Sequence, residues 1–223
     1  MQKLFRYDSP FIKWVNRMGR LVFLNLLWLL CCFPIVTIGA STAAMYRIAM
    51  DLVRRREDLS IFGDFIRAFR SNFKQATLVW LILLAPCALV FMNLLMLITG
   101  GLGYGMATYI VCLIPVPPLL FILAYVFAYA ATFEDKPMRT ITNSAIISIS
   151  NLPKTLLMVM LNLLPFVLYL FATELFLRLL FVWLLFAFAL IAYLNSKLIL
   201  RAFSPYLTRA DQEKFEKRPG NNF

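Results

Sequence analysis

Long apolar runs are the feature that most constrains how this chain folds. The stretch NLLWLLCCFPIV from Asn25 and the segment from Leu179 to Leu200 are nearly free of charge. A helix needs ~20 apolar residues to cross the ~30 Å hydrocarbon core of a bilayer, and several runs approach or exceed that length. None of them alternates like a strand of a membrane barrel. The sequence therefore predicts an all-α membrane protein.

The charge and the residue composition limit the partners and the kinds of chemistry that we expect for this chain. Only 15% of the 223 residues are charged, against roughly 25% in a typical soluble domain. The net charge of +11 comes from Lys and Arg that flank the apolar runs, which favours an anionic inner leaflet over nucleic acid as the partner. The chain has no histidine, and its four cysteines lie inside apolar runs. We therefore expect no metal, no cofactor and no enzymatic activity.

The positive charges predict the topology. Of the 22 Lys and Arg, five lie in residues 1–20, seven between Arg47 and Lys74, and six from Lys197 onward. Because short basic segments stay in the cytoplasm, residues 21–50 must enter the membrane and return. We expect a polytopic bundle of about six membrane segments in a bacterial cell membrane, with both termini cytoplasmic. The first two segments form a hairpin at Pro34, which either spans fully or is re-entrant.

Amphipathic stretches and the ends of the chain complete the predicted organisation. Large apolar residues recur every four positions at Ile61, Phe65, Phe69 and Phe73. This spacing predicts an interfacial helix over 61–74, separate from a membrane helix over 75–98 that Pro86 interrupts. A weaker amphipathic stretch covers 141–150. Residues 1–223 are expected to form one membrane domain without a cleaved signal peptide, with a short cytosolic tail at 201–223.

Two stretches 79 residues apart are alike. They begin at Asn72 and Asn151 and share that asparagine, three leucines and the proline at Pro86 and Pro165. We therefore predict an internal repeat of helix, interfacial helix and helix, whose halves are related by an axis along the membrane normal. The interface between two such halves would form a central site. Coincidence is the alternative, because matched leucines are common in apolar helices.

Two groups of residues are candidates for function. Pro115, Pro117 and Pro118 in the IPVPP break remove backbone donors and free carbonyls for a solute, or act as a hinge. A plain kink is the alternative. The basic side chains Arg67, Arg70 and Lys74 are candidates for interfacial or partner contact, although basic residues near helix ends also simply reach toward headgroups.

Polar residues within the apolar segments are few. Arg47 and Asp51 stand one helical turn apart and are expected to pair. Asparagines recur in the apolar helices at Asn25, Asn93, Asn162 and Asn195. They are expected to hydrogen-bond between helices, with a polar path as the alternative.

One region is also similar to a known family. CCFPIVTIGAST and NFKQAT, within Phe23 to Ile82, resemble the signature region of the YesL family, bacterial membrane proteins of unknown function typical of Gram-positive Firmicutes. Genes of that family often lie beside carbohydrate ABC-transporter genes. The resemblance implies a role that accompanies sugar uptake, and it supplies no catalytic or ligand residues.

These observations give two functional hypotheses. The first is a non-enzymatic accessory or regulatory membrane protein that assists a carbohydrate ABC permease. The second is a small-solute secondary transporter or channel, suggested by the repeat and the broken helix. The sequence contains no GxxxxGK[ST] loop, so energy coupling would come from a gradient or a partner. It does not specify the oligomeric state.

Overall fold

A computed structural model describes residues 10–54, 59–99 and 113–206, and this part of the chain is helical, with no strand. The helices are α1 (Pro10–Cys32), α2 (Ile38–Val53), α3 (Ile61–Thr99), α4 (Val116–Thr132), α5 (Pro137–Ser150), α6 (Leu152–Phe171), α7 (Thr173–Arg178) and α8 (Leu180–Phe203). The predicted all-α class is confirmed. Most of the predicted cytosolic tail lies outside the described residues.

Four of these helices are long and apolar enough to cross a membrane, namely α1, α3, α6 and α8. The two others in the bundle, α2 and α4, have 16 and 17 residues, fewer than the ~20 that a full crossing requires. Both are largely buried between the longer helices. The structure therefore supports four of the six predicted membrane segments by length.

The first two helices form the predicted hairpin. The chain turns at Pro34 and passes through a single 3-10 turn over Ile35–Thr37. Trp28 Nε1 donates to Thr42 Oγ1 at 3.2 Å, and Ser41 Oγ donates to the backbone oxygen of Trp28 at 3.0 Å. These bonds place the two arms side by side. The second arm starts at Ile38, with Thr37 at its N-cap position.

Helix α2 is the centre of the bundle and packs against α1, α3, α4 and α8. Thirteen of its 16 residues are buried, and many of them are Ala, Gly or Ser. Small residues let helix backbones approach closely, which is how helices associate in a bilayer. At Gly39 the two backbones approach so closely that a Cβ there would overlap the Ala76 carbonyl oxygen and Trp80 Cβ on α3.

Helix α3 corrects the prediction of a separate interfacial helix over 61–74. It is one helix of 39 residues that contains Pro86 without ending there. A four-residue spacing advances 400°, so a stripe defined by it drifts 40° per step around the helix. Ile61 and Phe65 are accordingly buried, whereas Phe73 is 38% exposed. The side that is buried continues instead through Ala68, Asn72, Ala76, Val79 and Leu83.

The predicted amphipathic stretch 141–150 is the separate helix α5, which begins four residues earlier. It buries small polar side chains, Thr140, Ser144 and Ser148, and exposes Ile146 and Ile149. Each of these buried hydroxyls donates or lies close to a backbone carbonyl three or four residues earlier. Small hydroxyl side chains of α5 therefore pack inward, whereas its exposed residues include Ile146 and Ile149 together with the polar Arg139 and Thr142.

Candidate functional site

A cavity of about 280 Å³ lies between α2, α4, α6 and α8. Each of these four helices contributes at least three residues to its wall. The lining residues are Thr42, Met45, Tyr46, Leu120, Leu123, Phe127, Val159, Asn162, Leu163, Pro165, Phe188, Ile191 and Ala192. The cavity therefore joins helices from the first and second halves of the chain, which is where the predicted repeat places a central site.

Three polar side chains form a cluster at the wall of this cavity. Asn195 Nδ2 lies 2.8 Å from Asn162 Oδ1 and 3.4 Å from the hydroxyl oxygen of Tyr46. Asn195 is fully buried, one turn along α8 from Ile191 and Ala192. Its Oδ1 has no hydrogen-bond partner among the described residues. A buried amide left half satisfied costs free energy, so a further polar group at this point would be stabilising.

The wall contributed by α8 is held by Asn25. Residues Trp183–Ala187 are wound as a π-helix, which displaces backbone groups from their usual α-helical partners. Asn25 on α1 is fully buried. Its Nδ2 donates to Leu184 O at 2.7 Å, and its Oδ1 accepts from the Ala189 N–H at 2.8 Å. One side chain thus satisfies a donor and an acceptor on α8, directly beside the lining residue Phe188.

Helix α2 also carries a buried charge pair, whose residues are not among those that line the cavity. Arg47 Nε lies 3.6 Å from Asp51 Oδ2, and the two side chains are 7% and 5% exposed. This is the pair that the one-turn spacing predicts. Charges removed from water are stable only when paired or hydrogen-bonded. The pair therefore favours the helical conformation of α2 that keeps the two side chains together.

The proline candidates lie outside the cavity. Leu113 is helical, Ile114 and Pro115 form a turn, and α4 begins at Val116 with Pro115 at its N-cap position. Pro115, Pro117 and Pro118 are exposed and do not line the cavity. The predicted interruption of the helix is therefore present. On α4, however, the residues that line the cavity begin only at Leu120.

The basic candidates lie on the exposed side of α3. Arg67, Arg70 and Lys74 are exposed, and Arg67 Nη1 pairs with Asp64 Oδ1 at 3.1 Å. The opposite side of the same turns, at Phe65 and Asn72, is buried in the core. The three side chains are thus carried on a fixed surface. We call Arg67, Arg70 and Lys74 the basic surface.

The asparagines follow the default expectation of bonding between helices, at Asn25 and at the Asn162–Asn195 pair. Tyr46 is the site residue that sequence reasoning missed. Its signal was a tyrosine inside an apolar helix, because a buried phenol needs a hydrogen-bond partner. The π-helical segment of α8 leaves no comparable signal in WLLFA.

Comparisons with known proteins find similarity to one family of unknown function. Residues 21–94 match the family described as "Protein of unknown function, DUF624". The chain is 27% identical over 153 residues to "Uncharacterized protein YesL" of Bacillus subtilis (strain 168), which covers 67% of this chain and 70% of that protein. No solved structure matches the chain. The family match covers most of α1, all of α2 and most of α3.

Proposed function

We propose that this chain, which is similar to the uncharacterized protein YesL of Bacillus subtilis and matches a family of unknown function over residues 21–94, is a YesL-like, non-enzymatic accessory component of the bacterial cell membrane that assists carbohydrate uptake by an ABC permease. The basic surface on α3 is the observation that carries this proposal. It is held in place by the buried opposite side of the helix, and it continues without a break into an apolar helix. A partner bound there would be held at a fixed position relative to the membrane.

The proposal includes the topology. With both termini cytoplasmic, the start of α3 lies at the cytoplasmic interface and its later turns lie in the bilayer. The basic surface then faces either anionic headgroups or an acidic surface of the permease. Headgroups attract each Lys or Arg by about 1 kcal/mol, so membrane attraction alone depends on charge number and not on position.

Binding to a permease, unlike attraction to the membrane, depends on where the charges lie, and this difference defines the test. The tagged protein is isolated from gently solubilised native membranes, and the accompanying proteins are identified by mass spectrometry. We expect a sugar ABC permease with the native chain and its loss from the variant Arg70→Glu, Lys74→Glu, which reverses two charges of the basic surface. The control variant Lys136→Glu, Arg139→Glu reverses two exposed charges elsewhere and should retain the permease.

Two results would count against the accessory role. One is isolation of the native chain alone, with sugar uptake unchanged on its deletion. The other is equal loss of the permease from both charge-reversed variants, which would reduce the basic surface to general attraction by the membrane.

The second candidate function is binding of a small solute within the bundle, as in a secondary transporter or channel. The cavity between α2, α4, α6 and α8 favours it, because about 280 Å³ is close to the ~300 Å³ at which ligand pockets begin. Val159→Phe should fill the cavity and abolish solute movement in liposomes. Leu156→Phe, on the exposed side of α6, should leave it unchanged, and equal flux in both variants would reject this function.

A further inference from the structure

We infer that the cavity takes a neutral amphiphile that carries a hydroxyl group, such as a medium-chain alcohol. This inference deepens the second candidate function and rests on it. Three properties of the cavity lead to this class of ligand: an apolar wall, the absence of charge from the described lining, and one polar end formed by Tyr46 and Asn162.

The wall sets the apolar part of the ligand. Ten of the 13 lining residues are apolar, and none of the 13 is charged. An ion would lose its hydration there without a counter-charge in the wall, which costs far more than the contacts return. A ligand that enters this cavity is therefore neutral.

The number of polar groups limits the ligand further. Only Thr42, Tyr46 and Asn162 are polar among the lining residues, and the Thr42 hydroxyl already accepts a bond from Trp28 Nε1. A sugar has a hydroxyl on nearly every carbon, and each one left unpaired in an apolar site costs about 1–3 kcal/mol. The cavity accommodates one or two polar groups, so it does not suit a sugar.

The polar end sets the chemistry of the ligand head. Tyr46 and Asn162 line this end of the cavity. Both contact the fully buried Asn195, whose Nδ2 lies 3.4 Å from the Tyr46 hydroxyl oxygen and 2.8 Å from Asn162 Oδ1. A phenol, an amide and an alcohol each both donate and accept, so a hydroxyl on the ligand complements this end.

The experiment uses the full chain in phosphatidylglycerol–phosphatidylethanolamine nanodiscs, with a diazirine-bearing decanol as the photoreactive probe. Mass spectrometry locates the labelled residues. We expect labels on α2, α6 and α8 that decanol competes about tenfold better than decane, which corresponds to a hydrogen bond of ~1.4 kcal/mol. Decanoate and glucose should not compete. Val159→Phe should abolish the cavity labels, and Leu156→Phe should retain them.

A second variant tests the head group directly. The double change Tyr46→Phe, Asn162→Leu removes the polar groups at this end of the lining and should reduce decanol competition to the level of decane while the apolar part of the site persists. If this variant does not fold, the comparison of decanol with decane in the native chain still tests the inference.

Each remaining outcome has a definite reading. Equal competition by decane and decanol means partitioning only and overturns the inference. Competition by glucose or decanoate overturns the ligand class and leaves the solute-binding role intact. Labels that neither a competitor nor Val159→Phe alters reject the solute-binding role itself.

Discussion

Two helical units of this protein, α2–α3 and α4–α5–α6, lie at the spacing of the predicted repeat and differ in instructive ways. A shift of 79 residues carries Ile38, where α2 starts, to Pro117 at the start of α4, and carries Tyr46 to Tyr125. It also aligns Asn72 with Asn151, and both side chains donate to a carbonyl four residues earlier. The shared ancestry of the units stays a prediction, but the alignment identifies the substitutions that separate them.

The clearest difference is that α3 is continuous where α5 and α6 are separate. The chain breaks at Asn151, which has φ −125° and ψ 43°, and Pro153 follows two residues later. Lys74 occupies the aligned position in α3. Proline lacks the N–H for a helical bond and clashes with the preceding turn. Pro86 and Pro165, deeper in the apolar helices, interrupt neither α3 nor α6.

The units also differ in what their central helices bury. Helix α2 holds Arg47 and Asp51, whereas the aligned residues of α4 are Val126 and Ala130, both buried. The comparison teaches that one helical framework accommodates either a charge pair or apolar side chains at the same depth. Single substitutions between the units should show which differences matter.

The largest effect is expected from Asp51→Ala. The change removes the Asp51 carboxylate that pairs with the buried Arg47, and breaking a buried ion pair lowers the free energy of unfolding by about 3–5 kcal/mol. Equilibrium unfolding in mixed micelles measures it. The double change Arg47→Val, Asp51→Ala imports the residues of α4 and should cost less than Asp51→Ala alone. A double variant as unstable as the single one would show that the two sites are not equivalent.

The next effect is expected from Lys74→Pro, which places the proline of the second unit in α3. It removes a helical bond and should lower the unfolding free energy by about 3 kcal/mol. Spin labels at the exposed positions Phe62 and Leu81 should also move closer together as α3 bends. Lys74→Ala is the control, and an unchanged label distance in Lys74→Pro would mean that a proline at this position is not sufficient to break the helix.

A smaller loss is expected from Gly39→Ala, which tests the close approach of α2 and α3. The added Cβ meets backbone and Cβ atoms of α3, which cannot move aside as the end of a flexible side chain can. Overpacking should therefore lower the free energy of unfolding by about 1–3 kcal/mol. Gly19→Ala is the matched control, because nothing lies within 4 Å of a Cβ there. Equal melting temperatures for the two variants would contradict this packing.

The smallest effect is expected from Pro153→Ala. The proline sits in the first turn of α6, where it fits, so its removal should cost about 0.4–1 kcal/mol through the unfolded state. The break at Asn151 should persist, because α5 is also held by Gln75 Nε2, which donates to Thr140 Oγ1 at 2.9 Å. Spin labels at Ile146 and Leu156 would report any straightening of the chain, and straightening would assign the break to the proline alone.

Much of the fold follows from local sequence. The lengths of the apolar runs predicted helices that are long enough to cross a membrane, Pro34 predicted the hairpin, and the one-turn spacing predicted the Arg47–Asp51 pair. The residues that line the cavity were harder to predict from the sequence. The proline candidates were chosen for backbone chemistry, and they lie outside the cavity, whereas Tyr46 was overlooked because a single tyrosine in an apolar run has no periodic pattern.

The sequence by itself determined a helical fold, with helices long and apolar enough to cross a membrane and a hairpin at its start, because hydropathy and charge act residue by residue along the chain. Only the tertiary structure decided that α3 is continuous, that α2 is central, and that Asn25 holds a π-helical segment of α8. The cavity belongs to this second group. Its wall comes from four helices far apart in sequence, and which side chains meet there depends on how those helices pack.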